Sequence, residues 1–502
     1  MNVMLYSMEI AMVLSGLGIL MLDLGTPARG KRDLGYLAAF LMSLLLLQSV
    51  FMPEVQDGFS LLSSGHSITE GPGYKLDAFA RYFKHLFLLA AILVLLMAVD
   101  FAGTLRARLA EFFALVLFAL TGMSAAASAT NFITLFVSIE LITVSFYVLT
   151  SFQRGQMRSL EAGVKYLILG AAASAVLVYG IALVYGATGS MEFAALGKAC
   201  PSAEHDHLLR LGLLLVIAGL GFKIAAFPFQ IWVPDVYQGA PAPVTAFLAV
   251  GSKAAGFALL MRLCHHLRPD LRELTLTVLA ALAGATILYG SLCALRQRNL
   301  KRLFGYAGIA SAGYLLLGLL ALNAQPGASP SGAQGCHAMM FYLAGYLIAV
   351  MAAFTVLCHL DGEDEDLSVL AGLHARSPLL ATVLTLSVVS MAGLPPLMGF
   401  LGKFLLLQSA FEVLSPHPAQ LWLMVVALGG VVISLYYYFG ILRAIYWGGG
   451  ISPGRPAGES EAITVPPLAR LLLIACGLIL LWVGIFPQAL LEWLGDAVAL
   501  FR

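Results

Sequence analysis

Apolar residues run through this chain in unbroken blocks, without alternation, and the blocks return at short intervals from one end to the other. A block of ~20 apolar residues is long enough to cross a ~30 Å hydrocarbon core as a helix. In lipid every backbone polar group needs a partner, which leaves helices and closed barrels as the spanning structures. Barrel strands alternate apolar and polar positions; these blocks do not, so the pattern predicts helices. The length criterion gives about fourteen spans. They lie near 5–22, 34–52, 77–99, 110–127, 130–150, 163–186, 208–228, 239–262, 273–295, 302–322, 334–359, 378–410, 420–442 and 467–491. The twelfth is too long for one straight helix and contains Leu394-Pro395-Pro396. It is expected as two half-helices about a break, since proline removes a donor from the helical ladder. The fold class is an all-α polytopic membrane protein.

Composition agrees with this pattern. The 502 residues are 60% hydrophobic and 11% charged, whereas soluble domains carry roughly 25% charged residues. The net charge of +1 says little; its distribution says more. Arg29, Lys31 and Arg32 follow span one, Arg106 and Arg108 span three, Arg154 and Arg158 span five, and Arg296, Arg298, Lys301 and Arg302 span nine. Short basic loops stay cytoplasmic, which places both termini in the periplasm; Arg262, Arg268 and Arg272 after span eight run against the bias. Met1 to Leu22 lacks a basic leader and reads as the first retained span. Cys200, Cys264, Cys293, Cys336, Cys358 and Cys476 include no close pair, so neither a metal cluster nor a disulfide framework is expected. No Gly-rich dinucleotide fingerprint follows a strand. Glu363-Asp364-Glu365-Asp366 reads as a solvated cytoplasmic linker or a docking point, and Gly448 to Ser460 as a flexible loop.

A Lys or Asp at a helix centre costs about 2.5–3.5 kcal/mol on insertion scales. Five charges inside the spans stand out on that ground: Glu140, Lys165, Lys223, Lys253 and Lys403. Acid and base together suit a proton relay, because burial and an opposite charge act on their proton affinities in opposite senses. Each has a plainer reading. Lys165, near the start of its span, could snorkel to the interface. Glu140 could form a static pair that only fixes packing; Thr143 and Tyr147 share its face, and any charged partner must come from another helix. Lys253 follows a Ser-Gly stretch suited to close helix contact. Lys223 precedes Pro228, and Lys403 follows Pro395 and Pro396. A break at membrane depth is tolerated only where protein or water covers it. Two interrupted helices in corresponding places suggest inverted repeats with mid-membrane sites.

The residues then become specific. Phe222-Lys223 through Pro228-Phe229-Gln230-Ile231-Trp232-Val233-Pro234-Asp235-Val236-Tyr237-Gln238-Gly239-Ala240-Pro241 to Val244 resembles the subunit N family of bacterial NADH–quinone oxidoreductase, respiratory complex I. So do Ser138-Ile139-Glu140-Leu141, Glu161 to Tyr166, Asn299-Leu300-Lys301-Arg302-Leu303 and Gly399 to Phe404. The resemblance covers nearly the whole chain. It implies fourteen helices with two inverted five-helix repeats, each with one broken helix. The domains become 1–108, 109–265 for the first repeat, 266–447 for the second, and 448–502 for a loop and last helix.

The roles that follow from the resemblance are these. Glu140 controls the proton affinity of Lys223, the central carrier of the first half; Lys165 assists at entry; Lys253 bridges to the second half; Lys403 delivers toward the exit. Gln230, Asp235, Tyr306 and Ser311 form a secondary polar path. Relatives often carry histidine where Gln230 and Ser311 stand, and neither of these changes charge near neutral pH. Water could still bridge at both places. The implied function is proton translocation in a bacterial inner membrane, coupled to quinone reduction elsewhere. Flavin and iron–sulfur clusters are expected in partner subunits and no cofactor on this chain. Its partners are the other membrane-arm and peripheral subunits, lipid and protons, not nucleic acid. A cation/proton antiporter or membrane-hydrogenase subunit is the alternative, and an inert scaffold the third reading.

Overall fold

The computed structural model describes residues 3–27, 30–51, 70–105, 108–198, 202–322, 331–360, 366–415, 421–447 and 462–498. Among them thirteen helices are long and apolar enough to cross a membrane. Pro378–Ala392 and Met398–Leu414 add the interrupted crossing that the paired prolines predict. Arg29, Arg106, Cys200, Glu363, Asp364, Glu365 and the loop Gly448 to Ser460 lie outside the described residues.

The chain divides into two compact units. The first holds Met1–Ile224, Gly251–Thr275 and Gly495–Arg502. Its helices are α1 (Ser7–Gly25), α2 (Asp33–Phe51), α3 (Ala78–Asp100), α4 (Leu109–Ser128), α5 (Phe132–Thr150), α6 (Met157–Thr188) and α7 (Ala203–Ile224). Helix starts follow their capping residues: Asp77 accepts from Ala80 N at 2.8 Å and Asn131 from Thr134 N at 2.7 Å, each satisfying a donor that the first turn leaves free. α6 and α7 meet backbone to backbone. A β-carbon on Gly180 would stand 2.8 Å from Gly212 O, and one on Gly212 2.9 Å from Gly180 O. Small residues allow this approach where lipid supplies no hydrophobic drive between helices.

A short hairpin, β1 (Glu70–Gly71) and β2 (Tyr74–Lys75), precedes α3. Bridges Tyr74↔Ala129 and Asn131↔Glu192 join the loops before α3, α5 and α7 into one layer at one end of this unit. The three arginines that oppose the loop bias are built into that end. Arg262 grips Asp77 with both terminal nitrogens, at 2.6 and 3.0 Å, and Ala127 O at 2.6 Å. Arg268 holds Asp206 and Asp270, and Arg272 donates to Leu267 O at 2.7 Å.

The second unit holds Ala225–Val250 and Leu276–Leu494. A short helix α8 (Val233–Gly239) leads to α9 (Ala242–His265), which passes through a π-helical stretch at Leu248–Ser252 and from Gly251 on is counted in the first unit. Then follow α10 (Pro269–Ala294), α11 (Leu300–Leu322), α12 (Ser331–Cys358), α13 (Pro378–Ala392), α14 (Met398–Leu414), α15 (Trp422–Trp447) and α16 (Pro467–Ile485). α11 is buried along its length apart from Arg302, while α15 and α16 expose large apolar side chains such as Val432 and Leu471. That division suits a helix at the centre of its unit and two at a lipid-facing edge.

Candidate functional site

In the first unit, α5 carries Glu140, Thr143 and Tyr147 on one face, at the i, i+3 and i+7 spacing that stacks side chains along a helix. Lys223 stands on the last turn of α7, where unpaired carbonyls favour a cation. The helix ends there: Ala225 has φ 62°, and the Phe227–Pro228 bond is cis. The lysine is only 5% exposed, and its Nζ donates to Thr143 Oγ1, which in turn donates to Ile139 O at 2.6 Å. The ring of Phe222 lies 5.4 Å from the same Nζ. Glu140, one turn from Thr143, accepts instead from Ser174 Oγ of α6 at 2.5 Å. Among the described ion pairs, none joins Glu140 to Lys223; a neutral hydroxyl stands where the sequence reading expects a carboxylate. The Tyr147 hydroxyl is buried with no hydrogen-bond partner among the described residues, and a buried polar atom of that kind is what an internal water satisfies.

Lys253 is 3% exposed and opens the α-helical part of α9 that follows the π-helical stretch. One turn on, a β-carbon at Gly256 would stand 2.7 Å from Ile224 Cγ2 and 3.6 Å from Lys223 Cβ. The helix bearing Lys253 therefore packs directly on the turn bearing Lys223. Lys165 differs: its side chain is 42% exposed and pairs with Glu161 one turn back, at 2.7 Å.

In the second unit, Lys403 of α14 is 5% exposed. Its Nζ donates to Met391 O at 2.7 Å and Ala392 O at 3.1 Å, the carbonyls left over at the end of α13. The Tyr314 ring centroid lies 5.1 Å away. Gly393, at φ 85°, closes α13, and a β-carbon there would press within 2.9 Å of Lys403 Cδ. Gly399 is equally constrained, since its β-carbon would meet Ser390 O at 1.9 Å. The two half-helices thus close around the ammonium.

Gln230 is 2% exposed, and its Oε1 is buried without a partner among the described residues. Asp235 of α8 pairs with Arg302 Nη1 at 2.6 Å, and that nitrogen also reaches Gln238 Oε1 at 3.0 Å. Lys301 Nζ caps α8 at Ala240 O, 3.1 Å away. Lys301 and Arg302, read from the sequence as loop charges, therefore pin the short helix that follows the break. Ser311 Oγ donates to Ala307 O of its own helix at 2.9 Å, and Tyr306 packs against Tyr289 with ring centroids 6.2 Å apart.

Two groups escape the sequence reading. Buried tyrosines line the second unit: Tyr342 stacks on Tyr346 at 6.1 Å, and Tyr437 and Tyr438 adjoin at 4.6 Å. Tyr237, Tyr346 and Tyr438 share a cavity of about 10 Å³. In the first unit, Glu9 and Lys84 form a buried pair at 2.7 Å, and Lys84 is fully buried. Both lie in apolar runs, so the criterion that selects Lys223 selects them too.

The chain matches the family described as NADH:quinone oxidoreductase/Mrp antiporter, TM, over residues 129–434. It is 38% identical to NADH-quinone oxidoreductase subunit N of Desulfitobacterium hafniense, over 97% of this chain and 96% of that one. It is also similar to a chain of respiratory complex I from Thermus thermophilus with bound aureothin: 33% identity, TM-score 0.76, covering 97% of this chain and 98% of that chain. A chain of the Mrp complex from Dietzia sp. DQ12-45-1b has the same fold, with TM-score 0.79 at 22% identity over 99% of this chain and 97% of that chain.

Proposed function

Because the chain belongs to the NADH:quinone oxidoreductase/Mrp antiporter family of membrane subunits, we propose that it carries protons through its buried lysines while other subunits pass electrons to quinone. The observation that carries this reading is Lys223, sealed from solvent at a helix break and held on a neutral hydroxyl with Glu140 one turn away. An ammonium buried without a paired carboxylate is a charge that a small rearrangement can neutralise, by moving Glu140 toward it or by letting its proton leave. Lys253 takes the next place in the first unit, and Lys403 holds the equivalent place at the break of the second. Gln230, Asp235, Tyr306 and Ser311 belong to the polar surroundings of the second unit, with water joining Gln230 to its neighbours. Lys165, paired with Glu161 near the surface, acts at the entry side.

The same reading takes the chain as two inverted five-helix repeats, 109–265 and 266–447, flanked by 1–108 and 448–502. It places the chain in a bacterial inner membrane with both termini periplasmic, beside other membrane-arm and peripheral subunits that hold flavin and iron–sulfur clusters. The half-exposed Glu140 supports such a neighbour, since a carboxylate facing lipid is costly and one facing protein is not.

The test is reconstitution of the intact complex carrying Lys223→Ala or Lys403→Ala, with proton flux and electron transfer recorded together. Proton flux falls in both variants while the complex assembles. Unchanged flux would instead favour a scaffold, and flux that requires sodium would favour the cation/proton antiport that the Mrp fold raises.

A further inference from the structure

Glu9 of α1 and Lys84 of α3 lie outside the Lys223 and Lys403 groups, and both are buried, at 7% and 0% exposure. Three donors converge on a single carboxylate oxygen. Lys84 Nζ reaches Glu9 Oε1 at 2.7 Å, Tyr74 OH donates to it at 2.9 Å, and Ser124 Oγ of α4 donates at 2.7 Å. Lys84 Nζ also donates to the Tyr74 hydroxyl at 2.6 Å. The other oxygen, Glu9 Oε2, is buried and has no partner among the described residues. A bare carboxylate oxygen beside a fully engaged one is the position where a proton can add without displacing a hydrogen bond.

Stability alone does not account for the group. A buried ion pair is often no better than a well-packed apolar pair of the same volume. Access supplies the second observation. Tyr74 is 1% exposed, yet it is among the residues that line a cavity of about 330 Å³ at the tied end of the first unit. Glu70, Lys75, Glu192, Arg262 and His266 line the same cavity, so its wall is polar and titratable. Tyr74 belongs both to the cavity wall and to the hydrogen bonds of the pair. Burial pushes its hydroxyl up to about 12, against the pull of Lys84, so it stays neutral and can accept and donate at once. Around the pair, Lys84 faces Glu9 from α3, Tyr74 from the hairpin and Ser124 from α4; His85, next to Lys84, is bound to Ser49 of α2 at 2.7 Å.

We propose that Glu9, Lys84 and Tyr74 form a second proton-holding site, in which Glu9 Oε2 takes and returns a proton exchanged through the polar cavity that Tyr74 lines. When the proton adds, the carboxylate becomes a neutral acid and the Lys84 ammonium rests on the Tyr74 hydroxyl. When the proton leaves to cavity water, the ion pair re-forms. The site does not depend on the Lys223 reading, and the test below keeps the two apart.

The intact complex in membranes is compared with Glu9→Gln and with the double variant Glu9→Leu, Lys84→Met. The first readout is the infrared difference between resting and turning-over complex, in the carboxylic-acid region. A band present in the unsubstituted complex and missing in Glu9→Gln is expected; identical spectra would overturn the proposal. The double variant keeps volume without charge and guards against a simple folding defect. It is expected to assemble and pass electrons normally while moving fewer protons per electron. An undiminished ratio in that variant would make the pair a static clamp and end the proposal. A failed Lys223→Ala test leaves both readouts standing.

Discussion

Thr143→Val tests the most specific feature of the first unit. The substitution keeps the branched shape and removes the hydroxyl that accepts from Lys223 Nζ. Lys223 is 5% exposed, so water from bulk does not replace the lost acceptor. A hydrogen bond to a charged group is worth about 1.5–3 kcal/mol. With tenfold in an equilibrium for about each 1.4 kcal/mol, the parked ammonium is disfavoured by roughly ten- to hundredfold. Its alternatives are direct pairing with Glu140 or loss of the proton, and either removes one of the two states a relay alternates between. The assay is the ratio of protons moved to electrons passed by the reconstituted complex. Thr143→Val is expected to lower that ratio severalfold with assembly intact, and Thr143→Ser to restore it. If Val matches the unsubstituted complex, the hydroxyl has no part in transfer. If Ser fails as Val does, packing and not hydrogen bonding matters at this position.

Three further outcomes follow from the same geometry. Lys403→Met strips the donors from Met391 O and Ala392 O; at about 1–3 kcal/mol per unsatisfied buried group, it lowers the thermal midpoint of the complex as well as proton flux, and a variant that loses flux at unchanged midpoint would refute the capping role. Gly256→Val drives a β-carbon to within 2.7 Å of Ile224 Cγ2; overpacking costs about 1–3 kcal/mol and shifts the Lys223 turn, so flux falls, whereas Gly256→Ala and Gly256→Val behaving as the unsubstituted chain would deny the close contact. Burial, helped by His265, Arg262 and Lys75, holds His266 at about 4, below its ordinary 6.5. The unfolded chain therefore binds the extra proton between those values, so stability of the tied end is complete above about pH 6.5 and is lost as pH falls toward 4. Solvent screening reduces the effect to ~1 kcal/mol. Amide protection at Tyr74, Lys75 and Phe193 should weaken in acid and become insensitive in His266→Phe; equal acid sensitivity in both would exclude the histidine.

The sequence is informative about depth and poor about direction. An apolar run fixes how far along a helix each residue lies, so the spans, the Pro395–Pro396 break and the buried placement of Lys223, Lys253 and Lys403 could all be read from it. Which neighbour a side chain meets depends on the rotation of one helix against the next, and no single run encodes that. Hence Glu140 turns to Ser174 and Lys223 to Thr143. Lys165 finds Glu161 on its own helix, a pairing that i,i+4 spacing alone suggests. Glu9 and Lys84 lie in apolar runs but near their ends, where a charge can reach water; the hairpin at Glu70–Lys75 brings Tyr74 onto both, and no apolar run encodes that. Lys301 and Arg302 show the reverse, since loop charges counted for orientation also anchor α8.

A division between the two kinds of cation runs through both units. Arginine makes the carboxylate ties between elements: Arg262 to Asp77, Arg268 to Asp206 and Asp270, Arg302 to Asp235. It cannot give up its proton in a protein, and its planar fork suits a fixed carboxylate. Lysine occupies the two helix breaks. At the two breaks it rests on neutral oxygens, those of Thr143 for Lys223 and of Met391 and Ala392 for Lys403. A neutral acceptor holds an ammonium well enough to place it, yet adds none of the Coulomb energy that makes a buried ion pair expensive to open. Lys84, held by both the Tyr74 hydroxyl and the Glu9 carboxylate, stands between these cases. Arg262 is as deeply buried as Lys223 and Lys403, at 4% against 5% exposure, so the partner and not the depth divides them: a cation that can release its proton, set on a neutral acceptor, is the pattern expected if those protons have to move.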